Sequence, residues 1–174
     1  MKQSAYRIQV ASSPALLKSG KADLWDTGRV TSDSTVEIPY DGKKLSAGQT
    51  CYWQVTSWDQ AVKQGATSTS KFDMGLLSVN DWKGDWIGRA TDTAYHPAPH
   101  LRKDFSLSGK VTKARVYVCG LGYYELHLNG KKVGDHHLDP GYTRFDRRAL
   151  YVTYDVTDQL KSGANAIGVI LGTG

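Results

Sequence analysis

Apolar and polar side chains alternate with a period of two along most of this chain. Glycine, proline and Asx-Gly pairs break the alternation into short pieces. The clearest run is 51–58: Cys51, Trp53 and Val55 share one face, while Tyr52, Gln54 and Thr56 share the other. Residues 6–10 alternate in the same way. Residues 24–28 read as a short strand entering a turn, and 35–40 as another strand before an Asp41-Gly42 turn. Leu45-Ser46-Ala47-Gly48 makes the turn into the 51–58 strand, and residues 70–74 close the section. Strands roughly every 8 to 15 residues, with turn signals between them, predict a β-sandwich of about seven strands over residues 1–78.

Residues 79–99 form a connection. Asp81-Trp82-Lys83-Gly84-Asp85-Trp86 has no sustained period, and residues 95–99 are predicted extended because the residue before a proline avoids the α region. Tryptophans in so short a connection more often plug a seam than stack on sugars. From His100 onward alternation resumes: Leu101, Lys103, Phe105 and Leu107 outline one face of a strand, and residues 111–119 follow as another. Tyr124, Leu126 and Leu128 then alternate with Glu125 and His127 until Asn129-Gly130, a strong hairpin signal because both residues tolerate positive φ. Asp139-Pro140-Gly141 reads as a second turn, with proline presetting φ and glycine supplying the left-handed corner. Leu150, Val152, Tyr154 and Val156 form a further strand, and the apolar 163–172 run has the composition of a central one. With nothing after Gly174 to flank that last strand, its exposed edge is expected to fray or to self-associate.

Composition narrows this picture little. The chain has 174 residues, a net charge of +5, ten tyrosines and five tryptophans against two methionines, which suits an all-β protein. Lys and Arg are scattered, which argues against nucleic acid as a partner. No apolar run approaches the roughly 18 residues of a membrane span, and no charged-then-apolar leader opens the chain. Cys51 and Cys119 stand 68 positions apart with no CxxC or Cys/His spacing, so they read as small buried hydrophobes in different domains.

Six short motifs in order carry a family resemblance. They are Leu101-Arg102-Lys103-Asp104-Phe105, Gly120-Leu121-Gly122-Tyr123-Tyr124-Glu125, Leu128-Asn129-Gly130 with Val133-Gly134-Asp135, Leu138-Asp139-Pro140-Gly141-Tyr142-Thr143, the 150–157 strand, and Asn165 to Val169 with Gly172-Thr173-Gly174. From Pro99 onward the chain resembles the N-terminal β-sandwich domain of bacterial α-L-rhamnosidases, glycoside hydrolase family 78. The upstream section is similar to the fibronectin type III-like module such enzymes carry, with its Tyr-Trp-x-Val-x-x-Trp-Asp strand at 52–59; Cys51 stands where the corner tyrosine is usual. The resemblance implies an all-β chain of two sandwiches: a fibronectin or immunoglobulin-like module over 1–78, and a jelly-roll-like, galactose-binding-like sandwich over 100–174 that is incomplete at its C-terminus. It further implies a bacterial parent enzyme that removes α-L-rhamnose from glycans by inverting hydrolysis, with catalytic carboxylates on a helical domain outside this chain. The partners so implied are the remaining domains and a rhamnose-containing glycan, with periplasmic or extracellular placement following from the resemblance alone.

Inverting hydrolysis needs two carboxyl groups about 6.5–9.5 Å apart. The nearest local cluster is Asp135, Asp139 and Asp146, interleaved with Arg144, Arg147 and Arg148. Carboxylates beside arginines pair with them, which lowers their pKa away from a general acid's, so no catalytic residue is expected here. The alternative is a carbohydrate-binding module for rhamnose-type sugars, with calcium as its one candidate cofactor. Its sugar contacts would be Tyr123, Asp135, Asp139, Tyr142 and Arg144, and its metal ligands Asn129, Asp135 and Asp139. Adjacent His136 and His137 point to opposite faces of an extended chain and read as a polar interdomain contact. Gly120-Leu121-Gly122 lacks the third glycine and the helix of a dinucleotide loop.

Overall fold

The computed structural model describes residues 2–88 and 97–172, so Tyr95, His96, Thr173 and Gly174 of the motifs above lie outside the described residues. The chain divides into two compact units, 1–84 and 85–174. The described part is almost wholly β.

The first unit holds strands β1 (Gln3–Ala11), β2 (Trp25–Asp26), β3 (Val30–Thr31), β4 (Thr50–Asp59) and β5 (Ser68–Asp73), all antiparallel in one sheet. β2 and β3 pair with two stretches of the same edge of β1, and β4 and β5 follow on the other side. The register aligns Val10 with Trp53, Ile8 with Val55 and Cys51 with Phe72, so the apolar positions of 51–58 do share a face. The opposite face carries a polar ladder. Gln9 lies across from both Asp26 and Gln54; its Nε2 donates to Asp26 Oδ2 at 3.0 Å, and its Oε1 accepts from Gln54 at 2.8 Å. Arg7 completes the ladder with two bonds to Asp26, at 2.9 and 2.6 Å.

Five strands form among the described residues of this unit rather than seven, and residues 35–40 are not one of them. Glu37 sits at φ 57, which breaks an extended run, and Pro39 has no N–H to give a ladder. The segment packs as irregular chain against β2 instead. The Tyr40 ring meets Trp25 edge-on at 5.2 Å, and its hydroxyl donates to Lys43 O at 2.8 Å. Gly42 has no room for a Cβ, which would lie 2.6 Å from the Leu24 carbonyl. Gly48, at φ 68, makes the expected turn into β4. A short helix, α1 (Pro14–Lys18), stands where no alternation announces it: Ser13 caps Leu16 N at 3.3 Å, Pro14 takes the first turn, and Leu17 is buried.

The second unit holds β6 (His100–Leu107), β7 (Arg115–Cys119), β8 (Tyr124–Leu128), β9 (Lys131–Lys132), β10 (Tyr151–Asp155) and β11 (Gly163–Leu171). They form a four-stranded sheet in the order β6-β11-β8-β9 and a two-stranded sheet of β7 and β10. Tyr124, Leu126 and Leu128 of β8 join Val133, Tyr154 and Val156 in the core, with Phe105, Val116, Val118, Val152, Ile167, Val169 and Leu171 packed against them. Residues from both sheets meet in this one cluster, which is the sandwich. Asn129 at φ 52 and Gly130 at φ 80 make the β8–β9 hairpin as the Asn-Gly pair requires.

Two expectations fail in this unit. β11 is no open edge: it pairs with β6 from Gly163 to Ile170 and with β8 from Ile167 to Leu171. Its neighbours come from earlier in the chain, so the predicted fraying and self-association through that strand lose their basis. At 139–141 the left-handed residue is Leu138, at φ 59, while the Asp139–Pro140 bond is cis.

The hairpin residue Asn129 also ties the domain together. Its Nδ2 donates to Gln159 O and Asn165 Oδ1, each at 2.9 Å, and its Oδ1 accepts from Ala166 N at 2.9 Å. Asn165, only 3% exposed, donates from Nδ2 to Lys161 O at 2.7 Å and Gly163 O at 2.9 Å.

Two outcomes follow for stability. The Arg7 guanidinium, with help from Gly28 N–H and Gln9, holds the Asp26 carboxyl down at about 2 against an ordinary 3.8. Because the folded-state value is depressed, the stabilisation is complete above about pH 4 and is lost as pH falls through about 2. Allowing for the 41% exposure of Arg7, Asp26→Asn should remove on the order of 1–2 kcal/mol at neutral pH. It should also flatten the acid loss in that window, read by hydrogen exchange at the β1 and β4 amides. In the second unit, Asn165→Asp places a carboxylate oxygen against two carbonyls and should cost about 2–4 kcal/mol at neutral pH. Burial beside those carbonyls raises the new carboxyl's pKa, so part of the loss should return as acid restores an O–H donor. Urea unfolding at two pH values checks this.

Candidate functional site

The loops at one end of the second sandwich, residues 120–123 and 133–150, hold most of the chemistry-bearing residues singled out above. β7 and β10 position them: Tyr151 pairs with Cys119, so the chain entering β10 lies against the chain leaving β7. Tyr124 N–H donates to Asp139 O at 3.0 Å and pins the 134–141 loop to the start of β8.

At the centre of that loop is a four-residue hydrogen-bonded node. Asp139 Oδ2 accepts from Tyr154 Oη at 2.8 Å and from His136 Nδ1 at 2.9 Å, which makes Nδ1 the protonated ring nitrogen. Tyr154 directs its one hydroxyl hydrogen at Asp139, so the Tyr124 hydroxyl is the donor in the 3.3 Å bond to Tyr154. Tyr154 is buried. Burial first, then its hydrogen bonds to Tyr124 and Asp139, pushes its hydroxyl pKa well above the ordinary range. Burial likewise raises that of Tyr124. Both phenols therefore stay protonated and act as donors. Gly134, at φ 73, lies so close that a Cβ would come 2.7 Å from the Tyr154 ring. The node is a structural lock on the loop, and its one outward-facing group is the exposed His136 ring.

The candidate site residues scatter around this lock. Asp139 is consumed by it. Asp135 is fully exposed, and His136 Nε2 lies 4.0 Å from it. The Arg144 guanidinium is committed to Asp146 through bonds of 3.1 and 2.6 Å, the ordinary ion pair that their spacing suggests. Tyr142 is 79% exposed and meets Phe145 edge-on at 5.4 Å, while Tyr123 is 43% exposed. Asn129 bonds to Asn165, Ala166 and Gln159, a set it does not share with Asp139. Of the three residues considered for calcium, Asp135 and Asp139 both border His136, while Asn129 belongs to a different network. Among the described residues no group of three or more His, Cys, Asp or Glu is placed to hold a metal.

Sequence reasoning missed His136 and Tyr154 as members of one site. The His136–Asp139 spacing was visible, but only the pairing of β10 with β7 delivers Tyr154 to them. Asn165 was also missed, since nothing local marks it as the partner of a residue 36 positions earlier.

Hydrogen bonds that favour the charged form hold the carboxyls of Asp23, Asp26, Asp33, Asp81, Glu125 and Asp155 below the ordinary range. A groove of about 500 Å³ runs over the outer face of the four-stranded sheet, floored by Ala166, Gly168 and Ile170 and walled by His100, Arg102 and His127, without a carboxylate. His127 Nε2 is buried there without a hydrogen bond, 3.5 Å from Glu125. Cys51 and Cys119 are free, and burial raises both thiols, which makes them inert.

Comparison with known proteins places this architecture. Residues 1–78 match the model of the Rha78A-like N-terminal immunoglobulin domain, and residues 109–174 match that of the alpha-L-rhamnosidase N-terminal domain. Two alpha-L-rhamnosidases of Formosa agariphila are 40% and 42% identical over 99% of this chain, and one of Alteromonas sp. is 35% identical over the same share. The solved alpha-L-rhamnosidase of Dictyoglumus thermophilum matches with a TM-score of 0.91 at 40% identity, and that of Aspergillus terreus with 0.83 at 32% identity, each over 99% of this chain. The chain spans about 20% of the length of each of these relatives. With an immunoglobulin-like domain followed by the rhamnosidase N-terminal sandwich, and near-complete matches in the same order, this chain belongs to the alpha-L-rhamnosidase family.

Proposed function

We propose that this chain is the non-catalytic N-terminal region of a larger alpha-L-rhamnosidase, an inverting glycosidase that removes α-L-rhamnose from glycans. One observation carries the reading: relatives that match nearly all of this chain are about five times its length, and the chain spans 20% of them. The chemistry agrees. A general acid must face a substrate-sized space, and the groove over the four-stranded sheet is lined by His100, Arg102 and His127 in place of a described carboxylate. The most buried acid of the 120–150 loops, Asp139, has its Oδ2 occupied by two donors.

On this reading the two β-domains brace the rest of the enzyme, and the Asp139 lock keeps one loop surface in a fixed shape for that purpose. The purified 174-residue chain should release no rhamnose from an aryl α-L-rhamnoside, and the parent enzyme should release it. In the parent, Asp135→Asn should change kcat/KM by less than about tenfold, whereas loss of a true general acid costs roughly a hundredfold or more. Turnover by the short chain alone would overturn the assignment.

A further inference from the structure

Between residues 97 and 172, five large apolar side chains are exposed: Leu121, Tyr123, Leu138, Tyr142 and Leu150. All five lie on the loops at one end of the second sandwich, and backbone contacts gather them. The Tyr151–Cys119 pair sets Leu150 opposite Gly120 and so beside Leu121. Leu138 precedes Asp139, whose carbonyl holds Tyr124 N–H at 3.0 Å, which brings it next to Tyr123. Gly141 lies against Leu150, and Tyr142 follows it.

A soluble domain rarely concentrates apolar side chains in one exposed place without a partner for them. Leu138 sharpens the point. Its φ of 59 is a left-handed conformation that leucine adopts only at a cost, yet the side chain is 69% exposed, so packing within this domain does not offset that cost. The Asp139 lock beside it holds the strained loop in place. The 144–148 stretch beside it carries three arginines, Arg144, Arg147 and Arg148, and one carboxylate, Asp146, which lies 2.6 Å from Arg144 and 3.8 Å from Arg147.

We propose that this loop-end surface is the seat for the remainder of the same rhamnosidase polypeptide, which meets it with an apolar centre bordered by carboxylates. The proposal rests on the function proposed above and adds the surface. Its occupant follows from two facts. The relatives hold about four-fifths of their length outside the part that this chain matches. Gly172 N–H is bonded to Tyr123 O at 2.7 Å, so on this reading the polypeptide leaves the sandwich beside the patch. An apolar centre with a charged rim is the usual build of such an interface.

Hydroxyl-radical footprinting tests it, comparing Leu138 and Tyr142 in the 174-residue chain and in the parent enzyme. Both should oxidise readily in the short chain and several-fold more slowly in the parent. Leu138→Ser with Tyr142→Ser should leave the melting temperature of the short chain unchanged and lower that of the parent. Equal oxidation in the two proteins would overturn the proposal. So would protection of Tyr142 by rhamnose in the short chain, which would make the patch a sugar site. Protection that grows with short-chain concentration alongside a dimer in light scattering would assign the patch to a second copy, and would also overturn it. A parent that protects both residues but releases no rhamnose would defeat the functional reading and leave the surface standing.

Discussion

The second domain depends on β11 being paired along both edges. A strand in the middle of a sheet cannot leave its N–H and C=O groups unpaired, because burying them without partners costs free energy comparable to a lost hydrogen bond. β6 and β8 supply those partners, and their register with β11 turns Ile167, Val169 and Leu171 toward the core of Tyr124, Leu126 and Tyr154. Once β11 is central, the hairpin residue Asn129 reaches across to Asn165 and Ala166 and closes the end of the sheet. The Asn129–Asn165 contact is thus a consequence of strand order and also its guard, since a register slip would leave buried amides without partners.

The same logic organises the opposite end. Tyr154 lies on β10 and points into the core, yet its hydroxyl must find an acceptor there. Asp139 provides one, and His136 and Tyr124 complete the set. The result is a polar node whose members satisfy each other and whose tyrosines hold their protons. Such a node suits scaffolding: the Asp139 oxygen and both tyrosine hydroxyls are engaged with one another, and the His136 ring alone faces outward. The first unit repeats the theme with the Arg7–Asp26–Gln9–Gln54 ladder, where polar side chains knit three strands together on one face of a sheet. In both units the most buried polar side chains hold strands and loops together.

Much of the fold was legible before any coordinates. The alternation at 51–58, the Asn129-Gly130 hairpin and the Gly48 turn all formed as read, because each depends on neighbours one to four residues away. The errors have physical causes too. Residues 35–40 alternate like a strand, but Glu37 at positive φ and Pro39 remove the extended geometry and a donor. The turn at 139–141 formed with Leu138 in the left-handed position, since the long-range bond from Tyr124 to Asp139 governs that loop more than local preference does. Asn129 and Asp139, close in sequence, bond to different partners, because β8, β9 and the following loop carry them apart into different networks.

The residues alone determined the all-β class, the principal hairpin and the family, because period-two patterning and turn chemistry are local and ordered motifs survive without a structure. Strand order, the central place of β11, the Asn129–Asn165 contact and the His136–Asp139–Tyr154 node belonged to the tertiary structure. Each joins groups that backbone pairing brings together from different strands and loops. A one-dimensional pattern records which face a side chain takes, but not which distant partner will meet it there.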